Sequence, residues 1–465
     1  MSDKQRTLKE SFSISGIGLH TGKKVTLNVK PAAPDHWFVF KRMDLPEQPE
    51  IKADVDNVTT TQRGTTLSQN GGDVHTTEHL LAALFGMGVD NALIELDGPE
   101  IPILDGSAKY FTAAINKVGI VEQDALRNYF TLPENMAYED TDKGIEMLAT
   151  PTNGGEFRIT VMVDYNSPLL GTQHASMYHI GEFEKEISGC RTFVFLRELI
   201  QLVNAGLIKG GDVDNAIVMV DTELAENDKD LLAATFNRDK SELESIGIGM
   251  LNNVVLQFEN EPARHKLLDI VGDLALVGRR IRGHILAARP GHFGNVEFGK
   301  QIKAMIKREE KRPYRYDPNA TPVADINQIS AMLPHRYPFL LVDKVMYRDE
   351  TRVVGIKNVT RNEEYFNGHF PSEPVMPGVL MLEAMAQTGG ILVLNQVPDP
   401  ENYSTYLVKI DKVKYKQKVV PGDTLIMDCK LTGPVRRGLC TMEARAFVGD
   451  KLVTEAEIMA QIAKK

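Results

Sequence analysis

The sequence predicts an α+β protein: an N-terminal pair of two-layer α/β sandwich units, then a long antiparallel sheet around a central helix. Three observations carry that prediction. Across residues 1–306, stretches with apolar residues at every second position alternate with stretches of helical period. Residues 307–322, KREEKRPYRYDPNATP, are charged and proline-punctuated with almost no aliphatic side chains, the composition of a linker. Beyond them, a helix apolar on nearly every side precedes four strand-like stretches with no further helix. A chain of 465 residues exceeds what one hydrophobic core usually serves. The expected parts are 1–126, 127–306, the linker 307–322 and 323–465.

Hydrophobic residues make up 42% and charged residues 25%, the balance of a globular chain. A net charge of −10 argues against a nucleic-acid partner. Cys190, Cys429 and Cys440 are scattered, which argues against a disulfide framework and a cysteine metal site and fits a reducing compartment. No stretch approaches the roughly 20 apolar residues of a membrane span, and no apolar run marks a signal peptide. A cytoplasmic protein without a transmembrane segment is expected.

In chain order, residues 5–30 read as a hairpin with turns at Gly16, Gly18 and Gly22. His20 sits in the second turn and ranks low as a catalytic candidate. Strands follow at 54–61 and 64–68. HTTEHLLAALFGMG, 75–88, opens a helix at Thr76 or Thr77, buries Leu80, Leu81, Leu84 and Phe85, and ends at Gly86 or Gly88. Glu78 and His79 therefore lie in its first turn. A strand at 90–103 and an amphipathic helix at 105–119 complete the first unit. The second unit has strands at 129–139, 144–150 and 156–164, and helices around 181–188 and 195–205. A charged, then glycine-rich insert follows at 223–250. Next come a helix at 262–273, a strand running into a loop that ends at His292, and a helix at 296–310. The two units look alike in pattern, yet no internal sequence repeat marks them.

The chemistry centres on PARHKLLDIVGD, 262–273. In a helix, His265, Asp269 and Asp273 stack on one face, while Leu267, Leu268, Ile270, Val271 and Leu274 fill the other. Alone, such a stripe reads as an ordinary solvated face. Glu78 and His79 shift that balance. His79, His265 and Asp269 can supply three ligands to Zn²⁺, with water in the fourth position at a pKa of about 7. Glu78, beside a ligand, suits the base that takes the water's proton. His292, on a glycine-bounded loop, suits the acid for a leaving amine, with Asp273 keeping it protonated. The combination reads as metal-dependent amide hydrolysis.

LHTG, TTEHLLAAL, DGPEIPILDGSA, CRTF, RHKLLDIVGDL and PGH together resemble the UDP-3-O-acyl-N-acetylglucosamine deacetylase family, over roughly residues 3–305. That resemblance implies a zinc amidase of lipid A biosynthesis acting on a UDP-sugar lipid. It implies zinc on His79, His265 and Asp269, Glu78 as general base, and His292 as acid with Asp273 as its partner. Thr192 would stabilise the oxyanion, Lys266 and Phe193 would contact the nucleotide sugar, and a hydrophobic passage would take the acyl chain. Two departures stand out. Gly64 occupies a stretch where many members carry a cysteine, so a thiolate ligand to an inhibitory second metal is lost. Residues 225–250 are longer than usual and receive no role.

The remainder reads as a short helix at 325–339, a hairpin at 340–360 and the loop NGHFPSEPVMPG at 367–378. The apolar helix 379–395 and strands at 404–418, 423–434, 439–449 and 452–462 follow. A buried helix wrapped by a long antiparallel sheet is the hotdog arrangement. Glu383 within the apolar helix is costly to bury ionised, so its pKa is expected to be raised, which suits a proton shuttle. His369 is its partner in acid–base chemistry beside a carbonyl, and the Gly378 N–H at the helix start suits a thioester oxygen. The same two side chains also fit a packed interface glutamate and a plain loop histidine.

LPHRYPFLLVDKV and FNGHFPSEPVMPGVLMLEAMAQTGG resemble the 3-hydroxyacyl-acyl-carrier-protein dehydratase family, over about 323–465. The resemblance implies that His369 removes the α-proton and Glu383 protonates the leaving hydroxyl, each from a different chain of a dimer. It also implies acyl carrier protein as partner, and dimers or a hexameric trimer of dimers. Lys412, Lys414, Lys416 and Lys418 alternate along one strand. They read equally as a dock for an acidic carrier and as protection of a sheet edge. The expected protein is a bifunctional deacetylase and dehydratase. The alternative is a deacetylase alone, its hotdog half an oligomerising scaffold or a thioesterase.

Overall fold

The first sheet is set by alternation: Val25, Leu27 and Val29 are buried, and the residues between them half-buried. The computed structural model describes residues 3–165, 167, 169–205, 209–212, 215–222, 224–243, 249–310 and 312–464. It divides into two units, residues 1–307 and 308–465.

In the first unit, strands Phe12–Ile17, Lys24–Pro31, Phe38–Arg42, Glu50–Lys52 and Ala92–Leu96 form one sheet. Their spatial order is first, second, fifth, third, fourth, and the fifth runs parallel to the third. In a second sheet, Met136–Asp140, Ile145–Thr150, Phe157–Asp164, Thr172–Met177 and Arg280–Ala288 have the same order and the same parallel pair, and a sixth strand, Tyr129–Thr131, pairs with the last of them off this path. The likeness of the two halves of this first unit is thus one of topology. Alternation and connection rules suffice to produce it, so it leaves no trace as a sequence repeat.

Helices α1 (Glu78–Gly86), α2 (Lys109–Val118), α3 (Phe183–Glu186), α4 (Leu196–Asn204), α5 (Glu226–Phe236), α6 (Glu261–Ala275) and α7 (His292–Glu310) accompany these sheets. α1, α6 and both sheets share one continuous core. The crossing of α1 and α6 depends on Gly272, where a Cβ would stand 2.1 Å from the Glu78 carbonyl oxygen. α3 is a single turn where the sequence predicts a helix over 181–188. α7 starts at His292, four residues before the predicted helix, so His292 is a helix-opening residue and not a free loop residue. The insert contains a helix, α5, which its composition hides because only Leu232 on it is fully buried. Residues 223 and 244–248 of the insert, and 311 of the linker, lie outside the described residues.

Asp90, just past α1, ties the two halves of this unit together. Its Oδ2 accepts from Arg127 Nε at 2.7 Å and from the Arg6 backbone N–H at 2.8 Å. Its Oδ1 accepts from Arg280 Nε at 2.5 Å. The two guanidiniums also donate to the carbonyls of Phe85, Gly88 and Val89. All three charged side chains are buried. Removing one partner of such a group leaves uncompensated charge, so Asp90→Ala should destabilise the unit by about 3–5 kcal/mol. Denaturant unfolding measures this, and an unchanged midpoint would show that the arginines find other partners.

In the second unit, strands Lys344–Arg348, Arg352–Asn358, Thr424–Leu431, Leu439–Val448, Lys451–Lys464 and Tyr403–Tyr415 form an antiparallel sheet in that spatial order. α8 (Ile326–Met332) starts with a capping box between Asp325 and Gln328. α9 (Gly378–Leu394) buries most of its length against the sheet, the hotdog arrangement. The other face of the sheet is not left bare. Tyr314 and Tyr316, within the stretch that reads as a linker, pack on Met346, Val354, Ile356, Ile426 and Phe447. Tyr314 Oη also donates to the Met346 carbonyl at 3.3 Å. Composition alone conceals this, because two aromatic anchors among many charges barely change it. No described helix is long and apolar enough to cross a membrane.

Candidate functional site

Two helix segments build the first site. Thr77 is the N-cap residue of α1 but makes no side-chain cap bond; its hydroxyl donates instead to the Thr65 carbonyl at 3.2 Å. Glu78 and His79 therefore open α1 with their side chains turned to α6. On α6, His265, Asp269 and Asp273 form the column that the four-residue spacing predicts, and all three are buried. His79, His265 and Asp269 each offer a ligand atom, and these atoms lie within 4.8 Å of one another. His265 Nε2 is 3.4 Å and His79 Nε2 3.9 Å from Asp269 Oδ1.

The residues around this trio favour a cation. His265 Nδ1 faces the Cys190 carbonyl at 3.0 Å, which leaves Nε2 as a lone-pair donor toward the cluster. Asp269 Oδ2 accepts from Lys266 Nζ at 3.0 Å, while Asp269 Oδ1 is buried without a hydrogen-bond partner. Burial, together with the neighbouring His265, pushes the His79 imidazole down to about 3, so it is neutral as a ligand must be. Burial likewise lowers His265. Two neutral imidazoles and one carboxylate fit a divalent ion such as zinc.

Beside the trio sits a proton-handling group. His292 Nδ1 lies 2.9 Å from Asp273 Oδ2, and its Nε2 lies 3.7 Å from Glu78 Oε1. Asp273 is held by the Thr65 hydroxyl at 2.6 Å and the Asn295 amide at 2.9 Å. Burial, reinforced by Asp273 and Asp269 and opposed by His292, pushes the Glu78 carboxyl up to about 7. Burial works against the His292 charge, but Asp273, Asp269 and Glu78 outweigh it and push the imidazole up to about 10. Glu78 Oε2 accepts the Thr65 backbone N–H at 3.0 Å. Gly64 just before it has φ +145°, and a Cβ there would meet Glu78 Oε1 at 2.9 Å. Glycine thus gives the candidate base its room, a consequence beyond the missing thiolate.

A cavity of about 300 Å³ opens from this cluster. Thr192, Phe193, Lys266, His292, His20 and Arg63 all line it. Lys266 Nζ sits 5.7 Å from the Phe193 ring centroid. His20, ranked low from sequence, belongs here. Buried Glu100 accepts the backbone N–H groups of His20 and Thr21, and His20 Nε2 faces the Arg63 carbonyl at 2.8 Å. A turn histidine carries no local signal of this; it becomes visible only when Glu100, 80 residues on, folds under the turn. A larger cavity, about 500 Å³, lies among Arg6, Phe85 and Arg282 and contains none of these residues.

The second site sits around α9. Glu383 Oε1 accepts from Gln387 Nε2 at 2.9 Å and lies 3.4 Å from His335 Nε2. Gln387 in turn donates to the Phe339 carbonyl and accepts from the Leu341 N–H. The predicted raised pKa of Glu383 is corrected: the His335 contact, with help from Gln387, lowers it, and the side chain is only partly buried. The apolar helix suggests a dry setting, but the 335–341 segment brings polar partners across it. His369 Nδ1 faces the Val375 carbonyl at 2.8 Å, and its ring stacks on Phe370 at 4.2 Å. Gly378 opens α9, and a Cβ there would come 2.7 Å from the Tyr415 ring. Among the described residues, no ion pair joins His369 to Glu383 within one chain.

Comparison with known proteins matches residues 5–241 and 243–304 to the family of UDP-3-O-acyl N-acetylglycosamine deacetylase, LpxC, and residues 333–457 to the FabA-like domain. A bifunctional enzyme LpxC/FabZ of Bacteroides thetaiotaomicron is 50% identical over 461 residues, covering 99% of each chain. Its namesakes in Porphyromonas gingivalis and Chlorobaculum tepidum are 48% and 47% identical, each covering 99% of this chain and 98% and 99% of their own. The chain belongs to the bifunctional LpxC/FabZ family. As an LpxC/FabZ chain it is an enzyme with a deacetylase domain followed by a dehydratase domain of the FabA-like kind.

Within this LpxC/FabZ chain, the structure brings Glu78, His79, His265, Asp269, Asp273 and His292 together, with Thr192, Phe193 and Lys266 on the adjoining wall. The lysine stripe is not a bare positive face. Lys412 pairs with Glu457, Lys414 and Lys416 with Glu455, and Lys418 with Glu373. A bulge between Asp411 and Lys414 also breaks the alternation. The strand is an edge strand, and its neighbour's carboxylates neutralise much of its charge.

Proposed function

We propose that the first unit hydrolyses the acetamide of UDP-3-O-(3-hydroxyacyl)-N-acetylglucosamine with a zinc ion held by His79, His265 and Asp269. The buried trio with the Glu78–His292 pair on its rim carries this reading. A divalent ion bound there supplies Lewis acidity to the acetamide carbonyl and the attacking water. Glu78 Oε1, with Oε2 pinned by Thr65, takes the water's proton. Asp273, bound at Nδ1, keeps His292 protonated, and its Nε2 delivers a proton to the leaving amine. Thr192 lies on the cavity wall as the oxyanion donor, and Lys266 and Phe193 receive the nucleotide sugar. Dialysis against a strong chelator should abolish deacetylation, and one equivalent of zinc should restore it. Full activity in metal-stripped protein would refute the reading.

The second unit, on this proposal, dehydrates (3R)-hydroxyacyl-acyl-carrier-protein to the trans-2-enoyl thioester. His369 removes the α-proton, Glu383 protonates the leaving hydroxyl, and the Gly378 N–H at the positive end of α9 holds the thioester oxygen. Assembly runs through the hotdog domain, as dimers or as a hexamer of three dimers. The two activities place the chain in lipid A and fatty acid biosynthesis, in the cytoplasm. Acyl carrier protein remains the expected partner, although the internal pairing of the lysines weakens their share in docking it.

A further inference from the structure

The insert that the sequence leaves without a role reaches, through Phe236, the cavity that His292 also lines. The wall of that cavity carries polar groups, among them Lys266, His292, Glu198, Asp212 and Asn215. It also carries an apolar set, Val194, Leu199, Leu202, Val218 and Phe236, of which Val194, Leu199, Val218 and Phe236 share one hydrophobic cluster. Phe236 is the last residue of α5. Leu232 of α5 is fully buried, and Ala233 and Phe236 pack on the same cluster, which also contains Leu199 and Val218. Asn237 follows with φ 52°, a left-handed residue that stops the helix at this point.

α5 is also fastened at both ends. Arg238, just past it, reaches Asp212 on the cavity wall at 3.2 Å. Lys240 pairs with Glu226 and Asp230, folding the following turn back onto the helix. A solvent-facing ornament would need neither a buried leucine nor an aromatic side chain turned to the cavity.

We propose that α5 forms the end wall of the acyl pocket and that Phe236 sets the length of the acyl chain the deacetylase accepts. The inference rests on the deacetylase reading given above. A linear acyl chain suits this apolar set because its side chains offer hydrocarbon to a ligand. Its ester end would then lie toward Lys266 and His292. The matched family acts on a 3-O-acyl sugar.

The test is deacetylation by the full chain of UDP-3-O-acyl-N-acetylglucosamines whose acyl chains differ by two methylenes. The wild type is compared with Phe236→Ala and Phe236→Trp. Burying one methylene changes kcat/KM by roughly fourfold, so two change it by roughly fifteenfold. Phe236→Ala should raise the ratio of kcat/KM for a longer chain over the wild type's best chain by roughly tenfold or more. Phe236→Trp should lower that ratio and move the optimum to shorter chains. The tryptophan variant keeps an aromatic against Leu232, so it reads the profile even where the alanine variant fails to fold. Two variants with the wild-type profile would overturn the proposal. A wild type that hydrolyses none of the series would overturn the deacetylase reading itself.

Discussion

Glu78→Gln should lower deacetylation by roughly 10²–10⁴-fold, the usual share of a positioned proton-transfer group. Metal content should be unchanged, because Glu78 is not one of the three clustered ligands. The amide is nearly isosteric, and its carbonyl can still accept the Thr65 N–H that now meets Oε2 at 3.0 Å. What it cannot do is take a proton. Stability should not fall either, since burial, with Asp273 and Asp269, outweighs His292 in opposing the charge that the change removes. Steady-state kinetics with metal analysis on the same sample separates these outcomes. If the variant loses its metal together with its activity, Glu78 holds the site together rather than acting as base. If it keeps full activity, the base lies elsewhere.

How far the sequence reaches depends on how local each relation is. The column His265, Asp269 and Asp273 is legible because one helix fixes it, and the structure places those side chains as the spacing predicts. Glu78 and His79 are legible for the same reason, as the first turn of a helix ended by glycine. His292 is recognisable as a candidate but not as a helix start: no Ser, Thr, Asp or Asn cap stands just before it. Relations across the fold leave no local mark. His20 depends on Glu100, the polarity around Glu383 depends on the 335–341 segment, and the place of Phe236 depends on how an otherwise charged helix settles on α4. The fold class needed less. Strand alternation, one apolar helix and a charged joint already separate two α/β units from an antiparallel sheet, whereas the shared strand order of the two units needed the structure.

Mixing two disabled dehydratase variants should restore activity, and this tests the second site most sharply. His369→Ala and Glu383→Gln should each lower dehydration by roughly 10²–10⁴-fold and leave deacetylation unchanged. In one chain, the Glu383 carboxylate is occupied by His335 and Gln387, and His369 is held by the Val375 carbonyl. Phe370 and Val379, beside these two residues, are 52% and 68% exposed, an apolar surface suited to a second copy. If each site takes its histidine from one chain and its glutamate from the partner, a dimer of the two variants has one intact site and one doubly disabled site. Random exchange makes about half of the dimers mixed, so about a quarter of wild-type activity should return. A site built within one chain would return none, because every chain in the mixture lacks one of its two groups. An active Glu383→Gln variant on its own would instead free the glutamate from catalysis and leave its bonds to Gln387 and His335 as its purpose, the packed-interface role that an isolated carboxylate on an apolar helix also fits.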